Sequence, residues 1–237
     1  GDRASEALIT ARIRARFPDH RILAEEGTTG AEVSPYRWVI DPVDGTTNFA
    51  HNVPAFAVSI GVERDDLLQA GVVYNPAADE LFAAALGRGA TLNGRTIAVT
   101  PTDTPASALV GCGAMSYRYQ GRTVKVGRAF WSITQGCRTT GAAALDLCYV
   151  ACGRFDLFCS PSLRAWDVAA ASLIVQEAGG RVTDFEGNPH RLDRPDILAD
   201  NGGLHSWALQ VARGEITGKP PLAARLAAWR KRAAAKT

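Results

Sequence analysis

Trp38-Val39-Ile40-Asp41-Pro42-Val43-Asp44-Gly45-Thr46-Thr47-Asn48-Phe49 runs an apolar strand into two carboxylates spaced three apart, then into a glycine and two threonines. Pro42 is expected to shape a turn there. If a helix opens at Gly45 or Thr46, its free backbone N–H groups face whatever the carboxylates hold. That arrangement suits a phosphate bridged by hard cations, with carboxylate oxygens taking Mg²⁺ and helix-start amides taking the anion. Gly45 lets a phosphate approach the backbone closely. Asp-Pro-x-Asp-Gly is also a β-turn closed by an Asx cap, the commoner use of such a pattern, so this stretch alone leaves both readings open.

The elements around it follow from periodicity. Leu8, Ile9, Ile13 and Phe17 lie on one face at helical spacing, and Pro18 stops that helix. A short strand over 21–24 leads into Glu25-Glu26-Gly27, read as a glycine-flanked loop. Residues 36–40 form a buried strand, and three more strands are expected at 57–62, 70–74 and 80–85. Asn93-Gly94 marks a tight hairpin. This first half reads as a mostly antiparallel sheet with a helix or two against it. The second half alternates, with strands at 108–112, 155–159, 181–185 and 197–199. Helices are expected at 123–133, 141–151 and 167–178, the last closed by Gly179-Gly180. Such alternation indicates a layered α/β lobe. The division expected is an N-terminal α+β lobe over 1–105 and a C-terminal α/β lobe over 106–237, forming one compact unit. Residues 220–237 read as a small helix ending in Trp229-Arg230-Lys231-Arg232. A solvated basic helix end is the plain account of that segment, with a nucleic-acid contact as the alternative.

Composition narrows the class. The chain has 237 residues, of which 46% are hydrophobic, enough for a substantial core. A net charge of only +2 excludes a general polyanion-binding surface. No run approaches the ~18 apolar residues of a membrane helix, and the opening Gly1 to Glu6 lacks the apolar core of a signal peptide. Five cysteines without any C-x-x-C pair read as buried, reduced thiols, which fits a cytoplasmic protein. The four histidines have no ligand spacing and read as surface or structural groups.

Two further acidic loci change the weight of the first motif. Glu25 and Glu26 follow the short strand, and Asp167 follows Trp166 at the start of an apolar helix, where an N-cap is the plain alternative. Ala24-Glu25-Glu26-Gly27, the Trp38–Phe49 stretch and Trp166-Asp167-Val168-Ala169-Ala170-Ala171 together resemble the three signature motifs of the inositol monophosphatase family, in that family's order and at about its spacing. The resemblance runs from Asp2 to about Asn201. It implies a layered αβαβα sandwich of the inositol monophosphatase and fructose-1,6-bisphosphatase type. It also implies a Mg²⁺-dependent, Li⁺-sensitive phosphomonoesterase using two or three ions, acting as a homodimer on a small phosphorylated metabolite. Neither membrane nor nucleic acid is an expected partner.

By that resemblance Glu25, Asp41, Asp44 and Asp167 are metal-binding carboxylates and Val43 lends a backbone carbonyl. Gly45 and Thr46 match the phosphate-cradling amides. Glu25, Asp44 and Thr46 are the catalytic set, the Thr46 hydroxyl and Glu25 orienting the attacking water. Gly141, Ala142 and Ala143 fall on the substrate side. The chemistry agrees: a phosphate monoester dianion repels hydroxide, so its oxygens must be neutralised and a nucleophile generated near pH 7. No Cys, Ser or His nucleophile is required.

The sequence departs from the family in two places. Members carry a further N-terminal segment ahead of the point matching Asp2, including a helix and a basic residue near the site. A mobile segment in that region helps form a metal site in the family, so the third metal is expected to depend on it. Inositol-selective members also carry Glu seven residues before the Asp of the Trp-Asp motif, where this chain has Ser160. A serine cannot reproduce a carboxylate's charge-assisted bond to a polyol. Arg164 faces either solvent or an anionic group of the substrate. Inositol 1-phosphate-like substrates, histidinol phosphate, fructose 1,6-bisphosphate and 3′-phosphoadenosine 5′-phosphate all fit the superfamily. A non-catalytic, phosphate-binding regulatory protein is the alternative of a different class. A nucleotide kinase is disfavoured, because no G-x-x-x-x-G-K-[ST] loop exists.

Overall fold

The computed structural model describes residues 2–31, 33–113 and 120–217. The chain opens with helix α1 (Asp2–Arg16), then β1 (Arg21–Ala24), β2 (Gly27–Gly30), β3 (Tyr36–Asp44) and the short α2 (Thr46–Ala50). Next come β4 (Ala57–Arg64), β5 (Leu67–Asn75), β6 (Glu80–Ala85), β7 (Ala90–Leu92) and β8 (Arg95–Thr96). A second group holds β9 (Leu109–Cys112), α3 (Gln120–Ile133), β10 (Gly136–Arg138), α4 (Ala143–Ala151), β11 (Leu157–Ser160), α5 (Ala165–Glu177), β12 (Arg181–Thr183), β13 (Ile197–Asp200) and α6 (His205–Arg213).

These elements form two sheets. The first has eight strands in the order β2-β1-β3-β4-β5-β6-β7-β8, antiparallel except for β1 beside β3. The second has five, β10-β9-β11-β13-β12, with parallel pairs on the β9 side and antiparallel pairs on the β13 side. Helices α4 and α5 lie between the sheets, where Leu145, Leu147, Leu173 and Ile174 meet Val73 and Phe82 of one sheet and Phe158 and Ile197 of the other. The second sheet's far face packs Val110, Leu157 and Leu198 against Phe130 of α3 and Val211 of α6. On the first sheet's outer face, Ile13 of α1 sits with Ile22 and Ile40. The layers therefore run helix, sheet, helix, sheet, helix, as the αβαβα expectation had it.

Several local expectations change. Leu8 is exposed while Ile9, Ile13 and Phe17 face inward, because the stripe at i, i+4, i+8 starts at Ile9 and Leu8 is turned about 100° away. Glu25-Glu26 is the two-residue turn of a hairpin, not an open loop, since 27–30 returns antiparallel to β1 with Ala24 opposite Gly27. That strand's Gly-Thr-Thr-Gly sequence has no apolar alternation to reveal it. Strand β10 and helix α6 are additions to the expected elements. The segment 220–237 lies outside the described residues.

Candidate functional site

Asp41 and Asp44 belong to β3 itself; the turn expected at Pro42 does not form. Opposite them on β4, Asp41 pairs with Ser59 and Asp44 with Ala57. Two residues, Pro42 and Val43, thus face the single Val58, which is a β-bulge. A bulge also tolerates the absence of an N–H donor at proline. In a regular strand, positions three apart point to opposite faces. Here the extra residue puts both carboxylates on the sheet face shared by Ser59 and Ala57. Asp41 Oδ1 also accepts the Val43 N–H at 3.0 Å, so part of the Asx geometry survives inside the bulge.

Two further contacts bring the other acids to this face. Strand β1 runs parallel to β3 with Ala24 beside Ile40, so the next residue, Glu25, stands beside Asp41. Helix α5 lies almost on the backbone of β4 and β5. A Cβ added to Gly71 would stand 2.6 Å from the Ala170 carbonyl oxygen, and one on Gly61 would stand 3.1 Å from the Ala170 nitrogen. This close seating brings the first turn of α5, with Asp167, over Asp41. Asp167 is not the N-cap: Arg164 is, and Asp167, three residues on, accepts the Arg164 N–H at 2.8 Å.

The four carboxylates feel one another. Burial chiefly pushes Asp41 up to about 8, helped by the charges of Asp167 and Glu25. Burial also raises Asp44 well above the usual range, reinforced by Asp41 and Asp167, although the Ala143 and Ala144 N–H groups donate to it at 3.1 and 2.7 Å. Asp167 rises through burial, with the Arg164 N–H and the Arg164 charge pulling the other way. Glu25 rises through burial and the charges of Asp167 and Asp2. None of the four has a cationic partner in a described ion pair. Among the described residues no three His, Cys, Asp or Glu side chains are placed so that they could hold one metal ion together. A set of hard oxygen donors that repel one another, with only the exposed Arg164 charge acting on Asp167 against that repulsion, fits divalent cations of the Mg²⁺ type.

Helix α2 begins at Thr46, directly after Gly45, whose φ of +88° needs a residue without a Cβ. A Cβ there would also stand 3.0 Å from the Ala55 carbonyl oxygen. The Thr46 hydroxyl donates to the Val43 carbonyl at 3.1 Å, joining two of the residues singled out by sequence. Gly141, Ala142 and Ala143 lead into α4, whose first amides hold Asp44. Ser160 ends β11 and is buried, packed where a Cβ on Gly113 would collide with its hydroxyl. Arg164, four residues on, is exposed.

Sequence reading left several neighbours unassigned. Asp2 lies near enough to raise Glu25 and Asp41, and Glu6 raises Glu25. Asn48, quoted in the motif but given no role, bonds across the molecule to residue 140. No local pattern signals such a partner.

Comparison with known proteins points the same way. The model of the inositol monophosphatase family matches residues 1–217. Inositol-1-monophosphatase of Mesorhizobium japonicum is 40% identical over 227 residues, covering 94% of this chain and 83% of that protein. Nus factor SuhB of Pseudomonas aeruginosa is 44% identical over 207 residues, covering 84% and 76% respectively. The solved inositol monophosphatase structure from Anabaena (Nostoc) sp. PCC 7120 superposes with a TM-score of 0.86 at 42% identity, covering 94% of this chain and 88% of that one.

Proposed function

The chain belongs to the inositol monophosphatase family, a family of phosphoric monoester hydrolases, and from that premise we propose that it hydrolyses a small polyol- or sugar-type phosphate with water, using Mg²⁺. The observation that carries this reading is that Glu25, Asp41 and Asp44 lie near enough to Asp167 for its charge to raise all three.

Those four side chains, with the Val43 carbonyl, are the groups that would hold the ions. Two or three Mg²⁺ bound there supply positive charge against the phosphoryl oxygens and the leaving alkoxide, and acidify water. The rest falls to the chain. The Gly45 and Thr46 N–H groups donate to phosphate oxygens. The Thr46 hydroxyl spends its proton on the Val43 carbonyl, so its oxygen is left to accept from a water. Glu25 is the second acceptor for that water and takes its proton. Gly141, Ala142 and Ala143 line the leaving group's side, with Ser160 beneath and Arg164 outside.

The same proposal reads 1–105 and 106–237 as lobes of one unit, and the protein as a Li⁺-sensitive cytoplasmic homodimer. Histidinol phosphate, fructose 1,6-bisphosphate and 3′-phosphoadenosine 5′-phosphate are the competing substrates. Phosphate release from a panel of these and inositol 1-phosphate, with Mg²⁺ and with a chelator, tests it. Mg²⁺-dependent release from at least one is expected. No release from any, with phosphate still bound, would favour the regulatory alternative.

A further inference from the structure

One side chain spans the two halves of the molecule beside the site. Asn48, the third residue of α2, donates through Nδ2 to the Ala55 carbonyl at 2.6 Å and to the Thr140 carbonyl at 2.7 Å. Ala55 precedes β4, whereas Thr140 lies 92 residues further along, in the turn before α4. The turn is shaped around this amide. Gly141 has a φ of +88°, and a Cβ there would stand 3.0 Å from Asn48 Nδ2 and 3.2 Å from its Oδ1. The turn also touches the start of α2, since a Cβ on Gly45 would stand 3.2 Å from the Ala142 Cβ and 3.4 Å from the Gly141 carbonyl oxygen. Within the turn, the Thr140 hydroxyl accepts the Ala142 N–H at 3.2 Å.

We propose that Asn48 is a positioning residue for the hydrolysis: it sets the spacing between the Gly45–Thr46 backbone, on the phosphate side, and the Gly141–Ala143 backbone, on the leaving group's side. This rests on the phosphatase reading above. Both acceptors are carbonyl oxygens, so both require a donor, and one NH₂ group serves them together. Removing it releases the 140–142 turn from α2, while the Ala143 and Ala144 N–H groups remain to hold Asp44. Phosphate binding and the leaving group's contacts are then no longer held in one geometry. Misplacement of this order costs as much as about a hundredfold in rate.

Asn48→Ala, Asn48→Ser and Asn48→Asp test the proposal against inositol 1-phosphate and 4-nitrophenyl phosphate, with Tm and Mg²⁺ affinity measured alongside. Ser retains one donor. Asp keeps the size but turns a carboxylate oxygen towards the two carbonyls. Expected are a tenfold to hundredfold loss of kcat/KM for the polyol substrate in Ala and Asp and a smaller loss in Ser. Loss for the nitrophenyl ester and change in Mg²⁺ affinity should both stay within about threefold. An unchanged ratio between the two substrates, whatever happens to Tm, would overturn the proposal and leave Asn48 as a fold staple. If the Ala variant does not fold, Ser against the parent decides by the same ratio. A parent protein that releases phosphate from no ester would overturn the phosphatase reading itself.

Discussion

Asp41 and Asp44, three residues apart on one strand, present their carboxylates to the same sheet face because the bulge at Pro42-Val43 sets two residues against Val58. Without it, one of the pair would point at α1 and the other at α5. The bulge is thus the backbone device that concentrates negative charge under the first turn of α5. The Ser5 hydroxyl, donating to the Pro42 carbonyl at 3.1 Å, ties α1 to the bulge from the other side.

Gly71→Ala tests how that geometry is maintained from a distance. The added methyl would stand 2.6 Å from the Ala170 carbonyl oxygen and 2.8 Å from its Cα, both backbone atoms that can yield only if α5 moves. Overpacking of this kind costs about 1–3 kcal/mol. Because α5 carries Asp167, Mg²⁺ affinity is expected to fall several-fold as well, although residue 71 touches no carboxylate of the site. Thermal unfolding and calorimetric Mg²⁺ titration check the two effects. Lower stability with unaltered Mg²⁺ affinity would separate helix seating from the site.

Asp146 provides a pH prediction independent of the four converging acids. It is buried in the first turn of α4, and its Oδ1 has no hydrogen-bond partner. Burial pushes its carboxyl up to about 7 from 3.8, with Thr140 pulling the other way. The folded protein therefore keeps a proton that the unfolded chain releases. The associated stability is full below about pH 4 and is lost as pH rises through about 7. Asp146→Asn removes that loss, so the variant should exceed the parent by roughly 1–3 kcal/mol at pH 8 and lose its advantage at pH 4. Tm curves for the two proteins that run parallel over this range would contradict the assignment.

Specificity should turn on Arg164 rather than on Ser160. The arginine is exposed at the head of α5, where it can meet a second anionic group. The serine is packed against Gly113. Arg164→Gln is expected to lower kcat/KM for fructose 1,6-bisphosphate about tenfold relative to glycerol 2-phosphate, the usual size of a lost charged hydrogen bond. Ser160→Glu should cost stability without adding preference for inositol 1-phosphate, because the longer side chain has Gly113 in its way. A gain of inositol preference in that variant would show that the pocket opens beside residue 160.

Most strands of both sheets, though not β2 or β10, were legible because their apolar runs are bounded by glycine, proline and asparagine. The layered α/β character of the second half followed from alternation with helices, and the five-layer sandwich from the family resemblance. The carboxylates were legible as types and spacings, through their resemblance to one family's motifs. What brings them together was not. The bulge reads in sequence as a turn, because Asp-Pro-x-Asp-Gly has the same composition in both. The parallel pairing of β1 with β3 and the seating of Ala170 on Gly71 are relations between segments, with no local periodicity. Asn48 belongs to the same class: its polar side chain reads as surface until its partner at residue 140 is known.

If Asp41 and its neighbours hold the cations for phosphate ester hydrolysis, the reaction depends on the Asp41 charge. Asp41→Asn preserves the side chain's shape and can still accept the Val43 N–H, while removing the charge at the centre of the set. The deciding measurement is phosphate release by this variant at saturating Mg²⁺, on protein whose Tm shows it is folded. A loss on the order of 10³ or more is expected, since charge stabilisation of the transition state is removed. Activity equal to the parent's under those conditions would contradict it and return the motif to a purely structural role.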